Sequence, residues 1–238
     1  METSTVLEGY SDQEKGAYLG AIASIATADR HASEEELQSL EALCDAADIS
    51  EQQKQAVIQA ASELSGEELR KCLDILKNSD LKYSLVADLI AFAKSDNNYG
   101  QEEQQRVQEI SQYLGVDQKQ FSLLNEFTDK ATAAKDVPPE EKAKPSFLSS
   151  LGLTEKLKGA GINSGNLMKG LLGIAGPLIL GGIVSNALRR RGRGTGMLGG
   201  MGGMMAGGGL GSLIGMLSGG RGFRNSGGLL GRIFGNRF

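Results

Sequence analysis

Hydrophobic residues recur at helical spacing through residues 11–131, with polar residues filling the positions between them. Four helix starts carry a Ser followed three residues later by Glu or Gln, which satisfies the free N–H groups of a first turn: Ser11/Glu14, Ser33/Glu36, Ser50/Gln53 and Ser65/Glu68. No stretch indicates a strand. The pattern therefore predicts an all-α fold with seven helices, at about 12–28, 34–47, 51–64, 67–78, 81–95, 101–114 and 118–131.

An internal repeat with an offset of 67 residues runs through this helical part. Apolar positions fall on apolar positions, and the acidic residue of one loop falls on the acidic residue of the other, as these pairs show: Ile22/Leu89, Ala26/Ala93, Asp29/Asp96, Glu36/Glu103, Leu43/Ile110 and Ile49/Val116. A repeat of whole helical units predicts a duplicated bundle.

The acidic loops carry a family resemblance. Residues 28–36, ADRHASEEE, resemble the "A-D-G-x-I-S-x-E-E" turn of the tellurite-resistance TerB-like family, and residues 95–103, SDNNYGQEE, resemble its second copy. The family's glycine after the Asp is replaced by Arg30 in one copy and by Asn97 in the other. The resemblance covers about residues 11–131 and implies a compact, acidic, all-helical domain.

The same resemblance implies a divalent cation, Ca²⁺ or Mg²⁺, held by carboxylates of the two turns. The matching positions are Asp29, Glu35, Glu36, Asp96, Glu102 and Glu103. An alternative stays open, because carboxylates in a first helical turn also complement the helix dipole and cap the backbone. His31 is the one histidine of the chain and has no Cys or His near it in sequence, so a zinc site is not expected.

Charge and glycine content divide the chain at about residue 136. Residues 1–136 hold 26 of the 29 carboxylates against 12 Lys and Arg, whereas residues 137–238 hold three against 13 and carry 28 of the 34 glycines. We therefore expect an acidic helical domain at 1–131, a linker at 132–146 and a basic, glycine-rich tail at 147–238. The sequence shows no catalytic motif, so we expect no enzymatic activity and no small-molecule substrate.

Residues 170–188 of the tail are 19 residues without a charge, close to the length that spans a bilayer. Arg189, Arg190, Arg191 and Arg193 follow as a basic cluster. The segment is predicted to anchor the chain in a membrane or in a protein assembly, a disordered tail being a third interpretation, through Leu171, Leu172, Ile174, Leu178, Ile179, Leu180, Ile183 and Val184. Nucleic acid is not an expected partner, because the acidic domain would repel phosphate.

These features together predict a non-enzymatic, TerB-like adaptor in a stress or metal response. It would face the cytoplasm, since the N-terminus lacks a secretory signal, and its tail would localise it to a membrane. The alternative is a structural subunit whose tail embeds it in a multiprotein assembly or filament, with other proteins or further copies as partners. Cys44 and Cys72 lie on apolar stripes and are expected to be buried thiols. Residues 1–135 are expected to fold without the tail.

Overall fold

The structure is a computed structural model that describes residues 7–26, 34–62, 66–94, 101–134, 136–142 and 144–171. Every regular element within these ranges is a helix. The seven predicted helices are confirmed, each end within two residues of its expected position: α1 (Asp12–Ala26), α2 (Glu34–Ala46), α3 (Glu51–Ser62), α4 (Gly66–Leu76), α5 (Leu81–Lys94), α6 (Gln101–Tyr113) and α7 (Gln118–Ala133).

The described helix starts show how side chains cap the backbone. At α1, the backbone N–H of Glu14 donates to the Ser11 hydroxyl, and the Ser11 N–H donates to the Glu14 carboxylate, 2.9 Å away. An equivalent capping box joins Asp117 and Gln120 at α7. The four predicted caps all begin with Ser, whereas the capping residue here is Asp. The caps predicted at Ser33 and Ser65 lie outside the described residues.

The duplication is confirmed in the backbone as well as in the helix bounds. Asp48 and Gly115 occupy equivalent positions 67 residues apart, and both have positive φ, 52° and 74°. The residue after each donates its N–H to the carbonyl five residues back, from Ile49 to Cys44 and from Val116 to Ser111. Both repeats thus end their second helix with the same left-handed turn.

Helices α1 and α5 form the centre of the bundle and lie side by side in parallel. Tyr18 in the middle of α1 donates a hydrogen bond to Asp88 in the middle of α5. At the beginning of both helices, Asn166 accepts from the Tyr10 hydroxyl and donates to Asp80. Continuous runs of buried residues, 17–23 in α1 and 83–90 in α5, show that both helices are enclosed on all sides.

Helices α3 and α7 run in the same direction as α1 and α5. The N–H of Ser50, just before α3, donates to Asp12 at the start of α1. Lys94 and Asp129 form an ion pair near the ends of α5 and α7. We call the end where α1, α3, α5 and α7 begin the base, and the end where they finish the top; α2, α4 and α6 lead back from top to base.

Beyond α7 the chain forms four short helices, α8 (Pro139–Lys142), α9 (Pro145–Ser150), α10 (Thr154–Gly159) and α11 (Ser164–Gly170). We call residues 144–171 the strap. Eight apolar side chains of the strap lie in the same core as those of α1–α7: Phe147, Leu148, Leu153, Leu157, Ile162, Leu167, Met168 and Leu171. Burial of each contributes about 1.5–3 kcal/mol. The packed unit therefore extends at least to Leu171, past the ranges that composition assigned to a linker and to the beginning of the tail.

Candidate functional site

The helices that flank the two acidic turns predicted to bind a cation meet at the same end of the bundle. One turn connects α1 to α2 and the other connects α5 to α6, and these helices meet them at the top. Glu35 and Glu36 are in the first turn of α2, and Glu102 and Glu103 are in the first turn of α6. The topology therefore places the helical halves of both motifs at one pole.

The ligand geometry of these turns is not part of what the structure describes. Asp29, His31 and Asp96 lie outside the described residues, and the side chains of the four glutamates are not described either. Among the described side chains, no group of three or more His, Cys, Asp or Glu could hold a metal ion. Cation binding at the top stays a prediction.

The bundle contains a polar contact in its interior that hydrophobic patterning does not reveal. Tyr18 is fully buried and Asp88 is 1% exposed, and the Tyr18 hydroxyl donates to the Asp88 carboxylate. A buried carboxylate needs such donors because its transfer from water is unfavourable. The contact joins the central helices of the two repeats, so it holds the duplicated halves in register.

The described chain ends at the base, where α11 packs against the first turn of α5 and Leu171 is buried. We call this contact the tail seat. The Ser84 hydroxyl donates there to the carbonyl of Leu167, 3.0 Å away. The approach is so close that a Cβ on Gly170 would lie 2.6 Å from the Ser84 Cβ and 2.9 Å from a methyl group of Leu81. A glycine is therefore required at the last position of α11.

The N-terminal segment completes the tail seat. The N–H of Leu7 donates to the carbonyl of Lys169 over 3.3 Å, and Leu7 itself is fully buried. Burial raises the pKa of Tyr10 to about 12, and the negative charges of Asp80 and Glu14 add to the increase. The Tyr10 hydroxyl therefore keeps its proton to higher pH than a free tyrosine, and it donates to the carbonyl of Asn166 in α11, 3.3 Å away.

The strap returns the chain from the top to the base along α7. Three successive contacts mark this path: Lys130 donates to the carbonyl of Leu151 at 2.9 Å, Lys156 pairs with Glu126 at 3.0 Å, and Gln120 donates to the carbonyl of Ala160 at 2.9 Å. Their partner residues on α7 run from Lys130 to Gln120, a distance of ten residues or about 15 Å along the helix. Without the strap, the chain would leave the bundle at the end of α7, at the top.

Most of the predicted anchor lies outside the described residues. Leu171 is the exception, since it is 3% exposed and packs in the core. The other anchor positions, Leu172 to Val184, and the basic cluster at 189–193 are not described. Within the ranges that the structure covers, no helix has the length and apolar character needed to cross a bilayer.

The two cysteines are free thiols in the described region. Cys44 is fully buried, as predicted, and burial raises its pKa to about 12. Cys72 is half-buried, and its sulfur would lie 3.0 Å from a Cβ on Gly20. The surroundings of Cys44 therefore disfavour the thiolate that nucleophilic catalysis requires.

Comparison with known families identifies the helical part. Residues 15–126 match the family model described as tellurite resistance protein TerB. This part of the chain is a TerB domain. No curated protein and no solved structure is similar enough to count as a match. The matched range begins in α1 and ends within α7, so the strap lies outside it, whereas Leu81 and Ser84 of the tail seat lie inside it.

The strap is a packed segment that the sequence analysis assigned to the linker and to the beginning of the tail. Its helices have only six or seven residues, too few to show clear helical periodicity. A weaker signal was available, because Pro145 and Asn163 are good residues for helix starts and apolar residues follow each of them.

Proposed function

We propose that this TerB-family protein is a non-enzymatic adaptor whose glycine-rich tail attaches the TerB domain to a membrane. The observation that carries the proposal is the tail seat. Leu171 is packed in the core, and the uncharged segment that reaches Leu188 continues from it without an intervening linker. Whatever holds this segment therefore holds the whole domain.

The non-enzymatic part of the proposal is supported by the position of the titratable groups. The buried pair Tyr18 and Asp88 lies in the interior between α1 and α5, where a substrate has no access without unfolding. The described carboxylates whose pKa is lowered take part in helix caps or ion pairs: Asp12 accepts from Ser50 before α3, Glu14 caps α1, and Glu126 pairs with Lys130 and Lys156. Such groups stabilise a bundle rather than carry out chemistry.

Flotation of the purified full chain with liposomes tests the proposal. We expect the wild type to rise with the vesicles and the Leu178→Arg variant to stay at the bottom of the gradient. An Arg near the middle of the apolar segment costs about 2.5–3.5 kcal/mol in a bilayer, enough to reduce occupancy by about two orders of magnitude. Leu178→Met is the matched control, because it changes the side chain and keeps it apolar.

The alternative function gives a different result in the same gradient. If the tail embeds the protein in an assembly, the wild type stays at the bottom and elutes as a large particle in size-exclusion chromatography. That outcome would overturn membrane attachment. If the wild type neither floats nor assembles, the tail has neither function.

A further inference from the structure

We infer that the strap sets the orientation of the TerB domain, so that the base faces the membrane and the top faces away from it. This inference rests on the membrane attachment proposed above and adds which surface of the domain meets the lipid. It follows from the path of the chain. The TerB domain by itself ends at the top, and the strap moves the point of departure to the base.

The strap is suited to this role because it is built into the core. Its contacts with α7 are distributed along the helix, from Lys130 near the top to Gln120 near the base. At its end, Gly170 is held against Ser84, and Leu7 binds the carbonyl of Lys169. An orientation fixed in this way cannot be lost by the movement of one side chain.

The charges at the base do not themselves attract a membrane. Lys82, Lys119 and Lys169 lie near the tail seat or at the start of α7, but the nearby elements carry Asp80 and Asp117. Attachment to the membrane therefore comes from the tail. The base faces the membrane only because the chain leaves the domain there. The helical halves of both acidic motifs, which begin at Glu34 and Gln101, lie at the top, the end opposite to the tail seat.

Two exposed positions on α7 can be labelled to measure the accessibility of the base and of the top. Lys119 lies in the first turn of α7 at the base, and Ala133 is its last residue at the top, about 21 Å apart along the helix. Each is replaced by Cys in the full chain, in a Cys72→Ser background. Cys44 is left in place, because burial and a pKa of about 12 keep it unreactive at neutral pH.

The measurement is the rate of modification by a polyethylene glycol maleimide in the presence of vesicles of phosphatidylcholine and phosphatidylglycerol. We expect Lys119→Cys to be modified severalfold more slowly than Ala133→Cys, because the reagent is too large to enter the gap between base and bilayer. With Leu178→Arg added to each variant, the two rates should become equal.

The outcomes separate the inference from the proposed function. A chain that floats but is modified equally at both positions, or more slowly at Ala133→Cys, is attached to the membrane in another orientation. That result overturns the inference alone. A chain that does not float overturns both, since no membrane then lies against the base.

Discussion

At the scale of single residues, the tail seat depends on two features, a missing side chain and a neutral hydroxyl. Gly170 allows α11 to approach Ser84 and Leu81. Tyr10 donates a hydrogen bond to the carbonyl of Asn166. Neither feature stands out in the sequence, where Gly170 is one of 34 glycines and Tyr10 precedes a helix cap.

Replacing Gly170 with Ala should destabilise the packed unit by about 1–3 kcal/mol, because the added methyl group overlaps the Ser84 side chain. Urea unfolding of the full chain, followed by circular dichroism, measures this change. Gly159→Ala is the matched control, since Gly159 also ends a short helix but has no heavy atom within 4 Å of its Cβ position. Equal unfolding midpoints for the two variants would show that α11 does not pack as described.

Tyr10 should make stability fall at alkaline pH. Its pKa is 10.0 in the unfolded chain and is raised to about 12 in the folded one, so the folded state favours the neutral hydroxyl. Its contribution is therefore fully present below pH 10 and is lost as the pH rises towards 12. We expect the free energy of unfolding to decrease more steeply above pH 10 in the wild type than in Tyr10→Phe. If the free energy of unfolding decreases with the same slope in both proteins, the Tyr10 hydroxyl is exposed to solvent and not buried.

At the scale of elements, sequence patterning predicted what is long and periodic. Helices α1–α7 have 11 to 16 residues, enough for apolar spacing and caps to define them. The repeat was also visible, because its equivalent apolar positions face the same core. The strap was not, since helices as short as α9, α10 and α11 gain their stability from tertiary contacts rather than from their own sequence. The sequence also assigned residues 132–146 to a linker, whereas Val137 packs against the core and Lys142 donates to the carbonyl of Ala131.

The strap changes the expectation that residues 1–135 fold well alone. A chain ending at Lys135 should unfold at a lower urea concentration than one ending at Leu171, and should bind a hydrophobic dye, because the strap no longer covers its part of α5 and α7. The chain ending at Leu171 should match the helical transition of the full protein. Equal stability of the two shortened chains would mean that the strap contributes nothing to the fold.

At the scale of the whole molecule, the fold separates the base, where the described chain ends at Leu171, from the top, where the helices of both acidic motifs begin. The separation gives the cation prediction a definite location, because both motif helices begin at the top. Millimolar Ca²⁺ or Mg²⁺ should raise the melting temperature if the turns bind it, through stabilisation of the folded state by mass action. Asp96→Ala combined with Glu103→Gln should abolish the increase. If neither ion changes the melting temperature, the role of these carboxylates is helix capping and not cation binding.

The central claim is that the strap and the TerB domain form one folded unit from which the tail departs. Native-state hydrogen exchange of the full chain tests it most directly, because exchange reports the free energy of opening for each segment. The amides of Leu157, Ile162 and Leu167 donate hydrogen bonds within the strap. The account predicts that they exchange with the same opening free energy as the amides in the middle of α5. Exchange of the strap at the rate of an unfolded peptide, while α5 stays protected, would contradict it.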